Sequence, residues 1–275
     1  MRRRDRTASI VLHTVLIAGL LVMIAPFVWM LLSSLKGEGE VRRAPPTWLP
    51  ADPTLANFRE LFDRLDFPLY FTNSAVVAIL VTAGNLLLCS ATGYALAKLR
   101  FAGRGALFLL VLGNLMVPPI ATFVPQFVLV SNLNLVNTYA GLVLPNIALA
   151  VNVFLMRQFI LSIPDDLLES ARVDGASEWR VYWQIVLPLC GPALATVGIL
   201  TFLGSWNNFL WPLVVATTED KYTLPVALAL YSVGQNQTQY GLLLAGSVTI
   251  IVPVLIIFGL LQRRFVQGIA TTGLK

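Results

Sequence analysis

An all-α integral membrane protein is the fold class this sequence predicts. Three observations predict it: a composition poor in charge, six apolar runs long enough to cross a bilayer, and an uneven distribution of basic residues between the connections. Of the 275 residues, 57% are hydrophobic and only 12% are charged, with a mean hydropathy of +0.76. Soluble domains carry about 25% charged residues, so a soluble globule of this composition would have too few to cover its surface. The bilayer is the expected solvent.

The six runs are Ile10–Leu32, Ala75–Leu96, Ala106–Val128, Leu142–Ile160, Pro192–Val215 and Leu242–Leu261. Each approaches the roughly 20 helical residues that span about 30 Å of hydrocarbon. The runs are continuous rather than alternating, which predicts helices and not barrel strands. The first run follows Arg2-Arg3-Arg4 like a signal peptide. It is longer than such an apolar core and lacks a small-residue cleavage site, so a retained span is expected. Pro118, Pro119 and Pro125 predict a bend in the third span.

Most of the 19 Lys and Arg residues fall on one side: Arg2, Arg3, Arg4 and Arg6, then Lys98, Arg100 and Arg104, Arg157, Arg172 and Arg180, and Arg263, Arg264 and Lys275. Of those on the other side, five lie in one long loop, where charge counts for little. Both termini are therefore expected to face the cytoplasm. The predicted organisation is a cytoplasmic N-terminus (1–9), a first span (10–32), an extracytoplasmic loop (33–70) with a short helix at Leu55–Asp66, a core of five spans (71–265) and a cytoplasmic tail (266–275).

The one large polar cytoplasmic segment is 161–188. Ser162, Pro164, Asp165 and Asp166 form a helix-start signal, and the helix should end near Arg172 or Val173. Asp174-Gly175 permits a sharp turn. A return helix carrying Trp179, Tyr182, Trp183 and Val186 leads to Pro188. Such a helix–turn–helix knob suits force transfer from a moving partner, although polar loops of this kind also occur as ordinary solvated connections.

The stretch Glu169-Ser170-Ala171-x-x-Asp174-Gly175-Ala176, with Ile185, Leu187 and Pro188 downstream, resembles the EAA loop of membrane subunits in bacterial binding-protein-dependent ABC importers. The resemblance departs at Ser170, where the family commonly has alanine. It implies a type I importer permease fold in the bacterial plasma membrane. Glu169, Ala171, Asp174, Gly175 and Ala176 would then form the element that docks on an ATPase. It also implies the partners: a second permease subunit, two ATPase subunits that bind ATP and Mg, and an extracytoplasmic solute-binding protein.

Trp206-Asn207-Asn208-Phe209-Leu210-Trp211-Pro212, Tyr222-Thr223-Leu224-Pro225-Val226 and Gln262-Arg263-Arg264-Phe265-Val266 are similar to segments of carbohydrate importer permeases, nearest the smaller permease subunit of maltose-type systems. Trp206, Asn207 and Asn208 are accordingly candidates for the solute pathway. Carboxamides both donate to and accept from hydroxyls, and aromatic faces stack on sugars. An asparagine at membrane depth also serves as a helix–helix hydrogen bond, the reading preferred for most of Asn85, Asn114, Asn146 and Asn152. In the same subunits the loop after the fifth span approaches the binding protein, which makes Gln235, Asn236 and Gln237 candidate contacts.

No phosphate-binding GxxxxGK[ST] loop occurs, and the lone His13 lies in the first run, so neither ATP binding nor a nucleophile–base pair is expected on this chain. Cys89 and Cys190 lack metal-ligand spacing and are expected as small buried hydrophobes. The near absence of charge within the spans argues against a proton- or sodium-coupled carrier. The alternatives to a sugar importer are an ATP-independent carrier and an importer of the same build for a solute such as glycerol phosphate.

Overall fold

α1 (Arg2–Ser34) opens the chain, and from Ile10 to Leu32 it is apolar around its circumference apart from His13 and Thr14. A helix with no polar face needs lipid or a partner around it. The computed structural model describes residues 2–232 and 238–272, and helix is the only extended regular structure among them. α2 (Glu38–Val41), α3 (Ala56–Arg64) and α4 (Phe67–Lys98) follow, then α5 (Arg104–Met116) and α6 (Pro119–Asn132). α7 (Tyr139–Val143) continues through a 3-10 turn, Leu144–Asn146, toward α8 (Ala150–Leu161). α9 (Asp165–Val173) and α10 (Glu178–Val181) precede a π-helical turn at Tyr182–Val186 and α11 (Leu187–Leu189). α12 (Gly191–Trp206), α13 (Leu210–Val215), α14 (Leu224–Ser232) and α15 (Tyr240–Thr272) complete the fold.

Two stretches, Ala8–Ser34 and Phe67–Lys98, are single helices long and apolar enough to cross a membrane. Three further apolar stretches are pairs of helices bent at a short break, so up to five crossings qualify by length and composition among the described residues. The third run is broken, not merely bent: α5 and α6 meet at 106°. Pro118 and Pro119 both lack an N–H, and proline drives the residue before it out of the helical region. Val117 is extended accordingly, and Pro119 restarts the helix in its first turn. The fourth run bends by 44° at Ile147–Leu149. The fifth ends as a helix at Trp206 and resumes at Leu210, after a 77° bend at its other end.

The chain divides into two compact units. The first comprises the residues up to Phe67 with Leu228–Pro253. Within it the Glu38 carboxylate accepts hydrogen bonds from the Tyr240 and Gly241 N–H groups at 3.1 and 2.8 Å, capping α15. Burial pushes the Glu38 carboxyl up, but these two N–H groups and the Arg42 guanidinium outweigh it and hold the pKa below the usual range. Asn57 donates to the Ser34 and Lys36 carbonyls, both at 2.8 Å, closing the end of α1. A Cβ at Gly241 would lie 2.5 Å from Asn57 Oδ1, so any larger residue there would displace the Asn57 carboxamide from its capping bonds.

The second unit, Pro68–Ala227 with the residues from Val254 on, holds the larger core. α4 packs through glycines against α8 and the bend before it. A Cβ on Gly93 would stand 2.9 Å from Met156 Cβ, and one on Gly84 would stand 2.8 Å from Ile147 Cβ. Close backbone approach of this kind is how spanning helices gain packing without a hydrophobic drive. Cys89 and Cys190 are unpaired and buried, as their apolar surroundings predict.

Candidate functional site

Two features of the second unit concentrate chemistry: the turn between α9 and α10, and a cavity beside the α5–α6 break. The turn follows from its sequence. Asp165 and Asp166 complement the N-terminus of α9. At the other end Ala176 N–H donates to the Ala171 carbonyl and Gly175 N–H to the Arg172 carbonyl, both at 3.0 Å. These paired bonds form a Schellman cap. They require a left-handed residue, and Gly175 has φ +82° with open space around its Cα. Backbone conformation, not crowding, selects glycine here. Ser177 then caps α10 by accepting from Arg180 N–H. The result exposes Glu169, Ser170, Asp174 and Gly175, whereas Ala171 and Ala176 are half-buried on the core beneath. Val173 and Trp179 are 87% and 69% exposed, an unusual position for apolar side chains beside a polar turn.

The turn is anchored to α4 at two points. Tyr94 donates to Glu178 Oε2 at 2.5 Å, and Arg172 donates to both oxygens of the same carboxylate, at 2.7 and 3.3 Å. Lys98 Nζ donates to Asp165 Oδ1 and to the Ile163 carbonyl, both at 2.6 Å. Farther in, Ser90 and Tyr182 share a hydroxyl–hydroxyl bond of 2.7 Å, so the π-helical turn is tied to the same helix. Arg104 donates to the Leu96, Ala97 and Leu99 carbonyls at the end of α4, and Arg157 adds a bond to Leu96. Leu168, Val181, Val186, Met156 and Ile160 are buried together under the turn. Any displacement of α9 is therefore passed to α4 and α8 through bonded and packed contacts.

Lys98 holds the Asp165 carboxyl below the usual range, and Arg172, followed by Tyr94, does the same for Glu178. Both folded pKa values are depressed, so the stabilisation is complete above the unfolded values of about 4 and is lost as pH falls through the folded ones. A nitroxide at Ser170→Cys should keep its mobility unchanged from neutral pH down to about pH 4 and loosen only below it, as the depressed carboxyls protonate. With Lys98→Met it should already be looser at neutral pH. Identical spectra in the two backgrounds would mean that the Lys98–Asp165 anchor holds nothing.

The cavity, about 690 Å³, is walled by α5, α6 and the Pro145–Val151 bend and reaches Asn208, Leu210 and Trp211. Its polar groups are Asn114, Thr122, Gln126, Asn146 and Asn208, and no charged side chain lines it.

The candidates in the fifth apolar run are dispersed. Trp206 is 2% exposed, stacked on Phe202 at 5.7 Å and edge-on to Phe71 at 5.5 Å. Asn207 ends α12, is exposed and donates to the Leu203 carbonyl. Asn208 lines the cavity. Gln235, Asn236 and Gln237 lie outside the described residues. Asn85 and Asn152 bond between helices, as their setting predicts: Asn85 Oδ1 accepts from Asn152 Nδ2 and Leu149 N–H, and Asn152 also donates to Thr201.

Sequence reasoning missed Tyr94, whose partner Glu178 is 84 residues away, and Gln126. It read Lys98, Arg104 and Arg157 only as orientation signals. The one cue for Gln126 was a carboxamide inside an apolar run.

The family described as "Binding-protein-dependent transport system inner membrane component" matches residues 89–271, which include the turn, its anchors and the cavity. The chain belongs to this family. It is a multi-pass protein of the bacterial plasma membrane and a transport component, not a catalyst. Among the described residues no group of His, Cys, Asp and Glu could hold a metal ion. The arabinooligosaccharides transport system permease protein AraQ of Halalkalibacterium halodurans is 42% identical over 92% of both chains. The sn-glycerol-3-phosphate transport system permease protein UgpE of Yersinia pestis is 32% identical over 98% of both. A chain from the crystal structure of a bacterial ABC transporter that imports the acidic polysaccharide alginate superposes with a TM-score of 0.83 at 25% identity, over 96% of this chain and 98% of that one. The ABC-permease fold expected from the loop motif is thus the fold observed. One of these relatives is named for a neutral oligosaccharide and the other for an anionic phosphate ester, while the superposed transporter imports an acidic polysaccharide, so two of the three are carbohydrate systems.

Proposed function

We propose that this binding-protein-dependent permease forms half of the transmembrane pathway of an ATP-driven carbohydrate importer, with the α9–α10 turn as its docking element for a cytoplasmic ATPase. In this reading the chain crosses the membrane six times, the sixth time by α15, with both termini in the cytoplasm. A second permease subunit, two ATPases carrying ATP and Mg, and an extracytoplasmic solute-binding protein complete the machine. The single observation that carries it is the turn itself. An exposed Schellman-capped knob presents Glu169, Asp174, Val173 and Trp179 outward while its base is bonded to α4. Closure of the ATPases would move the knob, and the anchors would pass that movement to the spans. The uncharged cavity favours a neutral sugar over an anion, since an anionic solute calls for basic partners and none lines it.

Replacement of Glu169 by lysine, in the complex reconstituted with its binding protein, tests the docking role. The expected result is an assembled complex whose uptake and solute-stimulated ATP hydrolysis both fall by about tenfold, the equivalent of about 1.4 kcal/mol. Glu169 is exposed and its carboxylate makes no hydrogen bond or ion pair among the described residues that would explain such a loss. Unchanged uptake with unchanged ATP consumption would remove the turn from the mechanism.

A further inference from the structure

The cavity beside the α5–α6 break is more polar than its position requires. Asn114 sits in the apolar helix α5, exposed, and its carboxamide has no hydrogen-bond partner among the described residues. Polar side chains within spans are retained where they meet a pathway or another polar group. Gln126 spends only one N–H, on the Pro145 carbonyl, and that bond is long at 3.4 Å. Asn208 accepts an equally long bond, 3.4 Å, from the Trp211 N–H. Most of the donor and acceptor capacity of these amides is therefore unspent and faces one volume.

The break in the third run brings this about. Had α5 and α6 been one straight helix, Asn114 and Gln126, twelve residues apart, would lie about 18 Å apart along the axis. The 106° turn at Val117–Pro118 folds α6 back so that both line one cavity with Asn208. Apart from Thr122 and Asn146, the remaining wall is apolar and in part aromatic, with Phe123 and Trp211 set edge to face at 5.7 Å. Hydroxyl-binding amides beside apolar faces, with no fixed charge, are the complement of a neutral sugar ring, which carries hydroxyls around its rim and C–H groups on its faces. The cavity volume of about 690 Å³ falls in the range of about 300–1,000 Å³ usual for small-molecule sites.

We propose that Asn114, Gln126 and Asn208 form a solute subsite within this permease half, contacting the hydroxyls of a neutral saccharide as it passes. The proposal rests on the carbohydrate-importer reading and adds to it a place on this chain where the sugar is held. The half-permease is then more than a wall and a lever, and contributes to selection after the binding protein has released its load.

The test uses the full complex in proteoliposomes, with its binding protein supplied on one side and labelled arabinotriose, lactose and glycerol-3-phosphate as probes. The unaltered complex is measured first. Carriage of glycerol-3-phosphate in place of both neutral probes overturns the carbohydrate reading before any variant is made, and the subsite with it. Where a neutral probe is carried, Asn114→Leu and Gln126→Met should each lower its uptake by about tenfold, while ATP hydrolysis stimulated by the loaded binding protein stays within about twofold. Asn114→Gln, which keeps the amide, should restore most of the uptake. Unchanged uptake in both variants overturns the subsite. So does a parallel fall in stimulated ATP hydrolysis, which would make the amides part of the coupling path. Loss of the second permease from the purified complex also overturns it, by assigning the amides to the subunit interface.

Discussion

Asn85→Leu is expected to cost about 2–6 kcal/mol of stability. Asn85 is fully buried and supplies the hydrogen bonds that the kink between α7 and α8 leaves unmade. At that kink the Asn146 carbonyl and the Leu149 N–H have lost their helical partners. Asn85 Nδ2 donates to the former at 2.6 Å and Oδ1 accepts from the latter at 3.0 Å. The same oxygen takes a bond from Asn152 at 2.9 Å, and Asn152 continues to Thr201 on α12. Leucine fills a similar volume but offers neither donor nor acceptor. Two part-buried backbone groups would then lose their partners, at up to about 1–3 kcal/mol each. Gly84, pressed against Ile147 beside the kink, leaves little room for α8 to move and find new partners. The measurement is the thermal midpoint of the purified complex in detergent, compared with Thr201→Val, which removes one bond and strands no backbone group. A midpoint for Asn85→Leu no lower than that of Thr201→Val would show that something else holds the kink.

Substitution at Gly175 should lower coupled uptake in an order set by backbone chemistry and not by size. Gly175 holds φ +82°, where a Cβ costs about 1–2 kcal/mol, and more when branched. Nothing lies within contact range of the added carbon, so packing predicts that Asn, Ala and Val would be tolerated alike. The backbone argument predicts otherwise. Asparagine visits the left-handed region readily and should keep most of the uptake, alanine should lose part of it, and valine should lose about tenfold or more. The valine variant would relieve its strain by opening the Schellman cap, freeing Ala176 from Ala171 and turning Glu169 and Asp174 away from a common face. Uptake and stimulated ATP hydrolysis across the three variants provide the check. Equal activity in all three would mean that the turn's shape does not matter to coupling.

Much of this architecture was legible in the residues. Composition and run length predicted helices in a bilayer. The Ser162–Asp166 start signal, Asp174-Gly175 and the downstream aromatic residues outlined the turn because caps and left-handed glycines are local features, decided within a few residues. The helical breaks were only partly legible. Consecutive prolines announce that a helix cannot continue, but the angle at which it restarts depends on what the second half packs against. The end of α12 at Trp206 carried no breaker signal at all, since Asn207, Asn208 and Phe209 read as a continuing span.

By itself, then, the order of residues determined the solvent, the helical class, the turn between α9 and α10 and, through its motif, the family. These rest on composition and on interactions between near neighbours, which a linear pattern records. Only the tertiary structure decided that Glu178 is held by Tyr94 and Asp165 by Lys98, that Trp206 is a buried stacking residue, and that Asn114, Gln126 and Asn208 line one cavity. Each of these joins positions from separate helices, and the meeting depends on helix crossing and on a 106° break. No spacing along the chain encodes such an approach, because it is set by how the helical surfaces fit once all of them are in place.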